Sequence, residues 1–154
     1  MSKASRFAYY IISFLFFVLT DFYFCGLILT SGYKMPENPV FSLTFIQNDG
    51  AAFNILQNSR MFLILFSLAA IGCICFYIIK NISKFSIFTL FCTSMLCAGI
   101  FCNTYERIVY GYVRDFISLN FVDFPVFNIS DIFICLSVFA IVIIIIKSSY
   151  FKKS

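Results

Sequence analysis

Four long apolar runs, about 8–29, 61–79, 85–102 and 126–146, leave this chain few choices of fold. Each is close to the roughly 20 residues a helix needs to cross about 30 Å of hydrocarbon. In that medium only helices and closed barrels satisfy their own backbone polar groups, so the runs predict four membrane-spanning helices. A hydrophobic content of 62% with 12% charged residues excludes a solvated globule of 154 residues. The first run has no small-residue cleavage site after it and is expected to stay as an anchor.

Charge orients the runs. Lys3 and Arg6 precede the first, Lys80 and Lys84 bracket the turn after the second, and Lys147, Lys152 and Lys153 follow the fourth. By the positive-inside rule both termini face the cytoplasm, which puts the segments 30–60 and 103–125 outside. The carboxylates follow the opposite pattern. Glu37, Asp49, Glu106, Asp115 and Asp123 fall in the outer segments, and Asp21 and Asp131 in the outer halves of helices.

Asp131 opens the run IFICLSVFAIVIIII, and an ionisable group in hydrocarbon is as a rule functional. Asp21 lies fifteen residues beyond Arg6, and Asp131 fifteen before Ile146. At about 1.5 Å per residue, both sit roughly 22 Å along their helices, level with one another. Asp21 taken alone reads as a structural partner for Arg107 or for backbone. Asp115 is the expected partner of Asp131.

The outer segments carry the remaining signals. Around SGYKMPENP, glycine and two prolines exclude helix. Beyond it Phe41, Leu43 and Phe45 alternate with Ser42 and Thr44 as in a strand, followed by a turn at Asn48, Asp49 and Gly50. NDGAAF by itself reads as a hairpin turn. Asn103, Glu106 and Arg107 share one helical face. After Arg107, Gly111 amid β-branched and aromatic residues favours a turn and strand with Asp115 at its end, and Asn128 or Ser130 is placed to cap the last helix.

Other chemistries are excluded by composition. There is no histidine, so Ser-His, Cys-His and His-based metal sites are absent. The seven cysteines show neither CxxC nor zinc-ligand spacing and read as small packing residues, against a thiol oxidoreductase. No glycine-rich phosphate loop is present, and nothing suggests nucleic acid as a partner. On the residues alone, a non-enzymatic transport or assembly subunit using intramembrane aspartates remains the alternative to an enzyme.

In order, the blocks NDGAAF, AGIFCNTYER, YGYVRDFI and FPVFNISD resemble the motifs of bacterial lipoprotein signal peptidases, the signal peptidase II family, over nearly the whole chain. The resemblance implies a membrane all-α fold, a four-helix bundle with a small extracytoplasmic β cradle, in the bacterial inner membrane with its active site at the outer face. It implies an aspartic peptidase with Asp115 and Asp131 as catalytic dyad and no metal or cofactor. Asn48, Gly99, Asn103, Arg107 and Asn128 match further family positions. Asn48, Asn103 and Arg107 are expected to position the substrate backbone, Asn128 to support the dyad, and Asp21 and Glu106 to play supporting parts.

The implied substrates are diacylglyceryl-modified prolipoproteins, cut just before the lipid-bearing cysteine, with membrane lipids as further partners and a monomer as the expected state. Globomycin should inhibit; chelators and thiol reagents should not. Cys25, Ala98, Cys102, Glu106 and Ser130 depart from the usual family residues, which are lysine, glycine, glycine, aspartate and alanine. Restoring aspartate at 106 is expected to be tolerated.

Overall fold

The structure, a computed structural model, describes residues 1–29, 35, 36, 38–50 and 56–151, without the side chains of 149–151. Lys152, Lys153, Glu37, most of the SGYKMPENP turn and Ala51 to Phe53 lie outside the described residues. The order is α1 (Lys3–Leu29), β1 (Phe41–Asn48), α2 (Arg60–Asn81), α3 (Ile87–Val109), β2 (Val113–Leu119) and α4 (Ile129–Phe151). All four helices are long and apolar enough to cross a membrane, so the chain is a multi-pass membrane protein.

The helices are not equivalent. In its most apolar stretch α3 is 61% buried, against 28% for α1, 17% for α2 and 11% for α4, so the other three pack around it and turn their remaining faces to lipid. The reason lies in its side chains. Ser94, Cys97, Ala98, Gly99 and Cys102 are small and buried, which lets helix backbones approach closely. At Gly99 the approach is closest: a Cβ there would meet the Ser130 carbonyl oxygen at 2.7 Å and Ile134 Cγ1 at 2.8 Å.

Larger residues fill the wider gaps. Phe17 of α1 meets Phe91 of α3 and Phe133 of α4 edge to face, with ring centroids 5.1 and 5.0 Å apart. Val18, Met95, Ala98 and Cys102 complete this cluster. A second cluster of Tyr10, Ile78, Ile82 and Leu90 lies toward the α2–α3 turn. There Arg6 donates to the carbonyl oxygens of Phe85 and Ile82, so the start of α1 and the α2–α3 turn occupy one side of the molecule.

On the other side the strands pair antiparallel, β1 against β2, with Phe41 opposite Leu119 and Asn48 opposite Val113. The strand expected around Phe41 is therefore present. Its partner is distant in sequence, so Asn48–Gly50 ends a strand without closing a local hairpin. Asn48 Oδ1 accepts from Gly50 N at 3.0 Å and tightens that turn. Phe41 and Phe45 are exposed, because a two-stranded sheet at this edge has no second layer over them.

The third helix runs further than the apolar pattern indicates, by about two turns, to Val109. Its polar cluster accordingly stands on helix. Gly111, with φ of +94°, then reverses the chain into β2, a conformation that suits glycine.

Candidate active site

The site begins with a β-bulge. Between Leu43 and Ile46 the register of β1 against β2 slips by one residue, from Leu43 opposite Ile117 to Ile46 opposite Asp115. Because side chains alternate in period two, the slip brings Asn48, in place of Gln47, onto the face of Asp115. The two are diagonal neighbours, and Asn48 Nδ2 donates to Asp115 Oδ2 at 2.8 Å.

The segment entering α4 lies on the other edge of β2. Phe127 N donates to Ile117 O at 3.0 Å, and Phe127 O accepts from Phe116 N and Ile117 N. This short pairing delivers Asn128 beside Asp115, where Asn128 Nδ2 donates to Asp115 Oδ1 at 2.8 Å. Asn128 is also the N-cap of α4. Its Oδ1 accepts from Asp131 N at 2.9 Å, while Asp131 Oδ2 accepts from Asn128 N at 3.1 Å, the reciprocal arrangement of a capping box.

Asn103, on the extended end of α3, closes the network. Its Nδ2 donates to Asp131 Oδ1 at 2.8 Å, and its Oδ1 accepts from Asn128 Nδ2 at 3.1 Å. Two carboxylates sixteen residues apart in sequence are thus held by three asparagines from β1, α3 and the start of α4. Asn48 and Asn103, expected to face substrate backbone, donate to the acids themselves.

Electrostatics separates the acids from ordinary surface carboxylates. Asp115 is 2% exposed. Burial pushes its carboxyl up to about 7, the charges of Asp131 and Glu106 push the same way, and the hydrogen bonds from Asn48 and Asn128 oppose them.

Arg107 stands beside the pair. Its Nη1 donates to Asn103 O at 3.1 Å and its Nη2 to Gly50 O at 2.6 Å, tying α3 to the end of β1. Its Nε is buried with no hydrogen-bond partner among the described residues. Asp21 lies outside this network. It accepts from Ser130 Oγ at 2.7 Å and from Cys25 Sγ at 3.9 Å, and Arg107 is not its partner. Asp21 therefore braces the first turn of α4 from α1, at the depth the helical rise predicts. Gly99 sits where α3 and α4 touch, against the Ser130 carbonyl oxygen and Ile134.

Sequence reasoning passed over Arg114 and the role of Ser130. Glu106, 4% exposed, accepts from Arg114 N at 2.7 Å, Nε at 2.9 Å and Nη2 at 2.6 Å, and the Arg114 guanidinium lies 4.2 Å from the Tyr110 ring centroid. The available signal was the pair itself, an acid in the last turn of a helix followed by an arginine just past the Gly111 turn.

Comparison with known proteins shows the family of the chain and its fold. The family model described as signal peptidase (SPase) II matches residues 10–147. A lipoprotein signal peptidase of Streptococcus thermophilus is 38% identical over 108 residues, 70% of each chain. One of Caldicellulosiruptor bescii is 39% identical over 108 residues, 70% of this chain and 69% of the relative, and one of Clostridium tetani 35% over 115 residues, 73% of each. Among solved structures, a bacterial membrane enzyme determined by the in meso method at 2.3 Å resolution superposes with a TM-score of 0.82 at 28% identity, covering 91% of this chain and 88% of that one.

Proposed function

Since the chain belongs to the signal peptidase II family and is a peptidase, we propose that it removes signal peptides from diacylglyceryl-modified prolipoproteins by an aspartic mechanism, cutting just before the lipidated cysteine. The observation that carries this reading is Asn128, which donates to both carboxylates at once, to Asp115 Oδ1 through its side chain and to Asp131 Oδ2 through its backbone.

Two acids so joined suit hydrolysis by a shared water. Like charges held close do not both ionise readily, so one acid keeps its proton. In this reading Asp115, whose carboxyl burial pushes up to about 7, is taken as the proton-bearing member of a pair that titrates as a unit, and it donates a hydrogen bond to the scissile carbonyl oxygen. Asp131 takes a proton from the water as its oxygen attacks the carbonyl carbon. Collapse of the tetrahedral intermediate returns a proton to the leaving amine. Asn103 and Asn128 hold Asp131 in place throughout, and Asn48 holds Asp115.

The placement fits a lipid-anchored substrate. The acids stand where α3 and α4 leave the apolar layer, the level at which a diacylglyceryl cysteine would present its peptide bond. In this orientation Lys3, Arg6, Lys80, Lys84 and Lys147 face the cytoplasm and the sheet lies outside. The test is cleavage by the purified protein of a diacylglyceryl-modified precursor and of the same precursor unmodified. Cleavage of the modified form alone, blocked by globomycin, is expected; equal cleavage of both overturns the substrate assignment.

A further inference from the structure

We propose that Glu106 and Arg114 form one clamp that positions Asp115, making both of them positioning residues for the reaction; the proposal rests on the functional reading above. The geometry is that of a chelate. One buried carboxylate takes the Arg114 backbone amide on Oε2 and its guanidinium on Oε1, so the main chain and side chain of the residue just before Asp115 are fixed together. It is the one ion pair among the described residues, with the Glu106 side chain 5% and the Arg114 side chain 19% exposed. Tyr110 covers the guanidinium from the last turn of α3, and Arg60 Nη2 donates to Ile108 O at 3.1 Å, so the α3–β2 corner is held from both sides.

The location of Glu106 argues for a purpose beyond helix stability. An acid in the last turn faces the negative end of the helix dipole, an unfavourable placement unless something outside the helix compensates. Arg114 is that compensation. An aspartate at 106, the usual family residue, is shorter by one methylene but keeps the charge, and Glu106→Asp remains expected to be tolerated.

The charged groups facing Asp115 are Asp131 from α4 and Glu106 and Arg107 from α3; Arg114, the residue before it on β2, belongs to the opposite face of the strand, and β1 presents the neutral Asn48. Removing the Glu106 charge should therefore ease ionisation of Asp115.

The experiment compares Glu106→Gln, Arg114→Met and the double variant with wild type, as purified full-length protein. Each single change should lower kcat on the lipid-modified precursor about tenfold or more with KM within about twofold, since small displacements of a reacting group have large effects on rate. The double variant should be no worse than the poorer single, because the two residues act as a unit. The 13C carboxyl signal of Asp115 should titrate at lower pH in Glu106→Gln. Unchanged kcat, additive losses, or an unmoved Asp115 titration would overturn the clamp as a positioning device. Failure of all three variants to fold would also overturn it, by showing the pair to be a support of the fold. If wild type cuts no lipid-modified precursor, the functional reading fails, while the Asp115 titration still decides the clamp.

Discussion

Asn128 and Asp131 cap one another, the amide oxygen of the first taking the backbone N–H of the second and the carboxylate of the second taking the backbone N–H of the first, at 2.9 and 3.1 Å. The acid of the proposed mechanism is thus also half of the device that starts α4. Structure and chemistry compete for the same oxygen atoms, and substitutions can tell them apart.

Asn128→Ser separates the two duties. Serine caps helices about as well as asparagine, so Tm should stay within a few degrees, but its hydroxyl is too short to reach Asp115 as well. Turnover should fall by about ten- to a hundredfold. A variant as active as wild type would remove the bridge from the mechanism.

Replacing either acid by its amide keeps shape and most hydrogen bonding but abolishes proton sharing. Asp115→Asn and Asp131→Asn should each lose about a thousandfold in kcat while remaining folded. Asp49→Asn and Asp123→Asn should stay active. Cleavage of modified precursor at matched protein levels decides, and substantial activity in either of the first two would exclude that residue.

The Asp115 carboxyl gives stability a sign with pH. Raised from the ordinary 3.8 to about 7, it keeps its proton in the folded protein after the unfolded chain has lost it. Its contribution is therefore fully present below about pH 4 and is lost as pH rises through about 7. Tm in detergent should fall across that window, and Asp115→Asn should flatten the slope. An identical slope in the variant would show that another group is responsible.

Gly99→Ala should destabilise by about 1–3 kcal/mol, since the new methyl meets the Ser130 carbonyl oxygen at 2.7 Å and α4 must move. Gly72→Ala, with nothing within 4 Å, is the control and should be neutral or mildly stabilising. Thermal melts of the two variants measure the difference, and equal Tm values would contradict the close crossing.

The helices were legible because hydropathy and length settle them, and Asp131 because a carboxylate in an apolar run stands out; Asp115, in an outer segment, was picked out by the motif that resembles the family. The helical face shared by Asn103, Glu106 and Arg107 was legible for the same periodic reason. What stayed hidden depends on register. No residue pattern announces the bulge between Leu43 and Ile46, yet it decides whether Asn48 or Gln47 faces Asp115. The Ser130–Asp21 bond was likewise invisible, being a contact between α1 and α4 that exists only once α3 has set their spacing. The end of α3 ran past its apolar residues because Glu106 and Arg107 find partners in the sheet, information absent from the helix itself.

The pairing of β1 with β2 spans two complete membrane crossings of intervening chain. A nascent chain leaving the ribosome therefore exposes Asn48 long before Asp115 exists to receive it, and Asp131 is made later still. On the proposed mechanism, a partial product that stops short of the first turn of α4 lacks Asp131, so its hydrolytic capacity waits on the start of the last helix.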